Sequence, residues 1–320
     1  MTSTSDNLVS LRHPINFASA NSTFWPEIAE GRTLDLTESD LAERPIGSFE
    51  AWIQYTVFHF AKAGVPFTVS KNPIVGTINF VDTRSYGIRN YNPLAFTAAL
   101  RGDAQHSKIA HYSLEQNLTR AAKPNAGFAK IWPQPGLTPR DPARGDMIRV
   151  IGYRGVPKNL EENFRSPAFC DALRERGIEL SWNVNDHKGA YPFYSDYSEV
   201  DLTLSIRNMT LTNAAGKPAS KLVNSWIAGA PALLGPEPAF FELQEDELDF
   251  LVVRKPEDAL NAVDHLLANP GIYLQIRERC RDRAFAPTAP SVVAKWVAQI
   301  NGDPGSYYEK WLQKSAIVTV

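Results

Sequence analysis

Lys217-Pro-Ala-Ser-Lys221-Leu-Val-Asn224-Ser-Trp-Ile-Ala-Gly229-Ala-Pro231-Ala-Leu-Leu-Gly235-Pro-Glu237 is the stretch on which the fold turns. Pro218 suits the first turn of a helix and Gly229 suits its end. Pro231 to Leu234 then has the length and apolar character of a short buried strand, and Gly235 to Pro238 reads as a loop. Leu222, Val223, Trp226 and Ile227 fall on one stripe of the helix, while Lys217, Ser220, Lys221 and Asn224 fall near its start or on the other side. A helix start presents backbone N–H groups without intrahelical partners, so Lys217 and Ser220 there would suit a phosphate. They would equally suit the solvated start of any buried helix, and the rest of the chain has to decide.

The chain has 320 residues, room for two domains of about 150 residues each. Its hydrophobic fraction of 43% and charged fraction of 21% are those of an ordinary globular protein. With Lys+Arg 33 against Asp+Glu 35, net charge is −2, which excludes a protein that grips nucleic acid by bulk charge. Cys170 and Cys280 stand alone in amphipathic segments, so neither a zinc site nor a disulfide framework is expected. The start, Met-Thr-Ser-Thr-Ser-Asp-Asn, does not read as a secretory signal, and no apolar run reaches membrane-spanning length. The expectation is a cytoplasmic, soluble protein with at most a peripheral membrane contact.

Residues 1 to about 46 read as irregular and polar, loops with one or two short elements and Phe24-Trp25-Pro26 as a packed anchor. From Ser48, Phe49, Trp52, Ile53, Val57, Phe60 and Ala61 recur at helical spacing up to Gly64. Strands are expected at Pro66 to Ser70, Thr77 to Asp82, Lys108 to Ser113 and Phe128 to Trp132. Trp132-Pro-Gln-Pro-Gly-Leu-Thr-Pro-Arg-Asp-Pro142, with four prolines, reads as a stiff linker. Beyond it the pattern repeats: strand Met147 to Tyr153, turn Arg154 to Lys158, helix Asn159 to Arg176 with Asn159 and Glu162 spaced as a capping pair, and strand Ile178 to Val184. A tyrosine-rich segment around Tyr191 to Tyr197 follows, then strand Val200 to Ile206, the opening helix and strand, strand Leu248 to Val253, and helices over Pro256 to Leu267, Gly271 to Arg281, Ser291 to Ile300 and Ser306 to Gln313. Strand–helix alternation in both halves predicts an α/β protein of two Rossmann-like domains facing each other across a cleft. The expected limits are 1–140, 141–300 and a C-terminal helical segment, 301–320, that packs back on the first domain.

Arg154 and Lys158 follow one strand of the second half, Arg207 and Asn208 follow another, and Lys217 to Ser220 open the central helix. In a parallel sheet these positions share one edge, and a diphosphate needs such a surround of charge-assisted donors. Glu237 sits on the loop beyond the central strand, placed either to meet sugar hydroxyls or to cap the next helix.

The second half resembles the nucleotide-binding domain of GT-B glycosyltransferases over most of Ile148 to Ile300. Gly152-Tyr-Arg154-Gly-Val-Pro-Lys158-Asn-Leu looks like the Arg and Lys that hold the donor diphosphate in the large retaining family of this fold. Lys217 to Pro231 looks like its following helix and Gly-x-Pro turn, and Leu260, Val263, Leu266, Asn269, Pro270 and Tyr273 look like its closing helices. Gly216 and Asn224 stand where that family carries glutamates, so the stereochemistry does not carry over. Lys221-Leu-Val-Asn224, Pro231 to Pro236 and Leu248 to Val253 are also similar to the donor half of inverting fucosyltransferases, where the Lys and Asn are one residue further apart.

The resemblance implies metal-independent transfer of a sugar, of hexosyl or fucosyl type, from a UDP- or GDP-linked donor, with no further cofactor. The acceptor would be a carbohydrate, a lipid-linked sugar or a protein. Arg154, Lys158, Arg207, Lys217, Ser220 and Lys221 would hold the diphosphate, Asn224 the nucleoside and Glu237 the sugar. An inverting course needs a base, for which Asp82, His111 and Glu115 are the candidates, His111 reading more readily as a satisfied core residue than as a base. A GT-B nucleotide-sugar epimerase and a non-catalytic nucleotide- or sugar-binding protein are the alternatives.

Overall fold

Strands buried along their whole length need helices on both faces, and the computed structural model of the chain has that construction twice. It describes residues 10–20, 23–44, 47–182, 192–208, 210–284 and 288–318. The chain divides into two compact units, one of Met1–Thr37, Ile46–Trp132 and Ala289–Val320, the other of Glu38–Pro45 and Pro133–Thr288.

The first unit is built on β1 (Ile15–Ala18), β2 (Thr68–Ser70), β3 (Ile78–Asp82), β4 (Thr97–Leu100), β5 (Tyr112–Glu115) and β6 (Ala126–Phe128), in the order β2-β1-β3-β4-β5-β6. Every pairing is parallel. A π-helical turn, Glu50–Gln54, leads into α1 (Tyr55–Lys62), which buries Val57, Phe58 and Phe60. The C-terminal helices Ala289–Asn301 and Asp303–Val318 belong to this unit as well.

The segment expected to hold loops and one or two short elements contains β1, which lies inside the sheet with Ile15, Asn16 and Phe17 almost wholly buried. Its polar residue is satisfied from elsewhere: Asn16 Nδ2 donates to Asn79 Oδ1 on β3 at 2.8 Å. The unexpected β4 is Thr-Ala-Ala-Leu, short and poor in β-branched residues. The strand expected at Lys108 to Ser113 lies further on, at Tyr112–Glu115, because Ser107 Oγ accepts from the N–H of Ile109 and Ala110 and holds that stretch in a turn. The strand expected at Phe128 to Trp132 lies earlier, at Ala126–Phe128. Trp132 instead stacks between His59 and Trp296, at centroid distances of 4.4 and 6.0 Å, and donates to Thr56 Oγ1.

The second unit carries β7 (Val150–Tyr153), β8 (Glu179–Trp182), β9 (Leu202–Ser205), β10 (Ala232–Leu234) and β11 (Leu251–Val252), again all parallel, in the order β11-β10-β9-β7-β8. Its helices are α2 (Pro167–Arg174), α3 (Ser220–Ala228), α4 (Pro256–Ala268) and α5 (Pro270–Ala284). The long helix expected from Asn159 is two 3-10 turns, Pro157–Asn159 and Glu162–Arg165, followed by α2. Pro167 has no N–H to continue an earlier helix, and Ser166 Oγ caps the new one by accepting from Phe169 N at 3.2 Å. The strand and tyrosine-rich segment expected after Ile178 fall partly in residues 183–191, outside the described residues.

Asp201, fully buried at the start of β9, organises this unit. Its carboxylate accepts from Arg140 Nε and Nη2 at 3.0 and 2.8 Å, from Arg144 Nε and Nη2 at 2.8 Å each, and from the N–H of Arg149 and Val150 ahead of and within β7. Tyr273 Oη on α5 donates to the Asp201 carbonyl. Burial alone pushes the Asp201 pKa up, but Arg144, the two N–H donors and Arg140 outweigh it and the net shift is downward. Removing one side of such a buried pair costs about 3–5 kcal/mol. Asp201→Ala should therefore unfold the second unit at markedly lower urea concentration, while Glu257→Ala, on the exposed face of α4, should leave the transition in place.

Candidate functional site

In sheets of this type ligands bind beyond the carboxyl ends of the strands, where the strand order reverses. In the second unit that point lies between β7 and β9. Arg154 follows β7 directly, and Arg207 follows β9 after Ile206. The start of α3 adds Lys217, Ser220 and Lys221, and the loop after β10 adds Glu237. Four of the expected donor-site cations and the one expected carboxylate thus belong to one electrostatic cluster.

Glu237 is the acid that acts on Lys221. It is buried and paired with Arg207, whose Nε lies 3.0 and 2.9 Å from Oε1 and Oε2. Although Glu237 occupies the N-cap position of the helix Pro238–Phe241, its side chain makes no capping hydrogen bond. Burial raises its pKa, against the fields of Arg207, Lys217 and Lys221. Lys221 lies in the first turn of α3 with its Nζ 5.9 Å from the centroid of the Tyr153 ring. Among the described residues it forms no ion pair. Burial first, and then the charges of Arg207 and Arg154, push its pKa down to about 7 against the weaker pull of Glu237.

Arg154 serves partly as scaffold. Buried to 6% exposure, it donates from Nε to the Asp196 carbonyl at 2.5 Å and lies over the Tyr197 ring. Gly152 permits this, since a Cβ there would stand 2.6 and 2.8 Å from the Val200 methyls and 3.2 Å from Arg154 Nη1. Arg154 contributes its charge to the cluster from behind. Lys158 is exposed on the turn Pro157–Asn159, outside the set of charges that act on Lys221 and Glu237.

The helix itself starts two residues later than expected, at Ser220, with Ala219 as N-cap. Alanine offers no side-chain acceptor, so the first N–H groups of α3 have no N-cap side chain. Gly229 closes the helix at φ 68°, in the left-handed region that glycine enters without strain. Asn224, expected beside a nucleoside, is 3% exposed and donates from Nδ2 to Gln134 Oε1 at 2.5 Å, so it ties α3 to the linker. Tyr153 beneath Lys221 was not anticipated; its place as the last residue of β7 is the only signal the sequence held.

The first unit separates the three acid–base candidates. Asp82 ends β3 and Glu115 ends β5, at the carboxyl edge, whereas His111 precedes β5 at the amino edge. Glu115 is fully buried and accepts from Arg101 Nη1 at 3.2 and 3.3 Å and from Ser113 Oγ at 2.7 Å. Asp82 Oδ2 accepts from the N–H of Arg84 and Ser85 at 3.1 and 3.0 Å, and burial raises its pKa despite those bonds. His111 Nδ1 accepts from Thr97 N at 3.1 Å, its ring stacks on Phe96, and burial lowers its pKa, a structural environment throughout. Among the described residues no group of His, Cys, Asp and Glu side chains is placed to hold a metal ion, and no helix is long and apolar enough to cross a membrane.

No family model matches the chain, and no curated protein sequence does. Solved structures do. The chain is similar to Anabaena HepE in complex with UDP and glucose, with a TM-score of 0.51 at 9% identity over 91% of this chain and 100% of that one. It is also similar to an alpha1,3-fucosyltransferase with GDP-fucose, with a TM-score of 0.47 at 10% identity over 87% of this chain and 83% of that one. A third similar structure, TarM, has a TM-score of 0.45 at 11% identity over 70% of this chain, which spans about half, 55%, of TarM's length. At these identities the likeness is one of fold: an α/β chain with two Rossmann-like units, as in GT-B proteins.

The cluster has a cost that can be measured. A lysine held at a pKa of about 7 binds fewer protons than its unfolded counterpart between there and 10.5, so its charge destabilises the fold below pH 7 and stability recovers as pH rises through that window. Lys221→Met should therefore melt at a higher temperature than the parent chain near pH 7, by about 2–4 °C per kcal/mol relieved. The difference should shrink towards pH 10 in a series of thermal melts.

Proposed function

We propose that the chain is a glycosyltransferase that takes a sugar from a nucleoside diphosphate sugar, and that its second unit binds the donor diphosphate. The observation that carries this reading is the charge imbalance at the switch point between β7 and β9. Arg207 and Arg154 act on Lys221, which forms no ion pair among the described residues, while Glu237 is paired with Arg207, beside a helix start without a side-chain cap. Two adjacent phosphates would neutralise that excess, accept from the first N–H groups of α3 and draw Lys221 to its charged form. As the glycosidic bond to the diphosphate breaks, the same cations would stabilise the charge that develops on the leaving oxygen, the usual task of preorganised donors in group transfer. Transfer of this kind makes no demand on a metal ion at the diphosphate. The resemblance of Arg154 to Asn159 and of Lys217 to Pro231 to GT-B donor motifs supports the reading, as does the likeness in fold to HepE, which was crystallised with UDP and glucose.

The expected result of a thermal-shift series with UDP, GDP, dTDP and their sugars is a concentration-dependent rise in Tm with at least one nucleotide diphosphate. Lys221→Met and Lys217→Ala should each weaken that binding about tenfold or more, the order expected when a charged hydrogen-bond partner is removed. Release of free nucleotide diphosphate from a donor sugar would establish catalysis. Silence with every nucleotide at saturating concentration would overturn the reading.

A further inference from the structure

The first unit has a second cationic site that the donor reading does not use. Beyond the carboxyl ends of β3 and β4, next to the switch point between β1 and β3, a groove of about 460 Å³ opens between residues 83–88 and 104–109. Arg84 projects from one side and His106 and Lys108 from the other, and no aspartate or glutamate lines it. Arg84 and Lys108 are exposed, His106 is half-buried, and none of the three forms an ion pair among the described residues. Asp82, at the end of β3, is 3% exposed and accepts from the N–H of Arg84 and Ser85, and Asp103, just ahead of the second wall, accepts from Gln116 Nε2; neither lines the groove.

Both walls are shaped in advance. Asn90 accepts from Gly87 N at 2.7 Å and donates to the Ser85 carbonyl, which braces the first loop; Ser107 Oγ accepts from Ile109 and Ala110, which braces the second. The groove also has an apolar side. Tyr86 is buried at its base, Ile109 packs against the cluster of Ala18, Val81, Tyr86 and Ala99, and Ile88 stands 84% exposed at its rim. A large aliphatic side chain so exposed beside Arg84 and Lys108 marks a surface for a ligand that combines an oxyanion with a less polar body.

We propose that this groove binds a phosphate-bearing ligand, with Arg84 and Lys108 on the phosphate and Ile88 and Tyr86 against the body that carries it. A guanidinium fork and an ammonium from opposite walls are the donors a phosphate monoester requires, and no carboxylate lines the groove to pair with them directly. The site lies wholly within the first unit, and it stands whether or not the second unit binds a nucleotide.

The test is calorimetric titration of the full chain, in saturating UDP, with inorganic phosphate, glucose 6-phosphate and glucose. Binding of either phosphate species, with none by glucose, supports the proposal; tighter binding of glucose 6-phosphate assigns the site to a sugar phosphate, and equal binding assigns it to the free anion. The double variant Arg84→Ala, Lys108→Ala should weaken that binding about tenfold or more, leaving Tm and UDP affinity in place, and added salt should weaken it in the parent chain. Should the double variant fold poorly, Lys108→Gln alone should still show a smaller loss. Failure of both phosphates to bind, or binding that survives the double variant, overturns the proposal. If UDP itself does not bind, the comparison between the parent and the Arg84 and Lys108 variants still reads this groove.

Discussion

Asp201 is a carboxylate with no access to water, and the second unit is built around satisfying it. It takes Arg140 from the linker, Arg144 just beyond it and the N–H groups that lead into β7, and its carbonyl holds the Tyr273 hydroxyl of α5. These contacts fix the amino ends of β7 and β9 relative to each other. Because the strands are parallel and short, fixing one end fixes the other, where Arg154 and Arg207 emerge. An uncompensated buried carboxylate would cost several kcal/mol, so the register that places the arginines follows from the need to pair Asp201.

At the opposite edge the balance is reversed. Glu237 meets Arg207, whereas Lys221 forms no ion pair among the described residues, and burial, ahead of the charges of Arg207 and Arg154, holds its pKa at about 7. The two ends of one sheet thus treat buried charge differently: the Asp201 carboxylate is fully paired, and the Lys221 ammonium is buried without an ion pair among the described residues. The groove in the first unit repeats the second pattern with exposed cations, over an Asp82 whose charge is taken up by its own loop.

Much of this was legible in the sequence where the signal is local. Apolar spacing and the Gly229–Ala–Pro231 punctuation identify α3 and the strand after it, and the proline-rich run after Trp132 coincides with the change from one unit to the other. Strand-end arginines could be named from order alone. What stayed hidden depends on partners distant in the chain. Asn16 looks wrong for a buried strand until Asn79 is beside it, and Asn224 looks available for a ligand until Gln134 takes its amide. Arg154 appears to face a ligand until the Asp196 carbonyl claims its Nε, and Glu115 appears free to act as a base until Arg101 is in place. The misplaced start of α2 is a different error, since Pro167 and Ser166 were in view and outweigh the Asn159–Glu162 spacing.

The central claim is that the cluster around Lys221 is short of one anion. Calorimetry of UDP or GDP binding at pH 8, repeated in buffers of different ionisation enthalpy, measures the protons taken up per nucleotide. With Lys221 mostly neutral in the free protein at that pH, binding of the diphosphate should draw in a large fraction of one proton, and Lys221→Met should abolish the uptake. Nucleotide binding with no proton uptake would contradict the account.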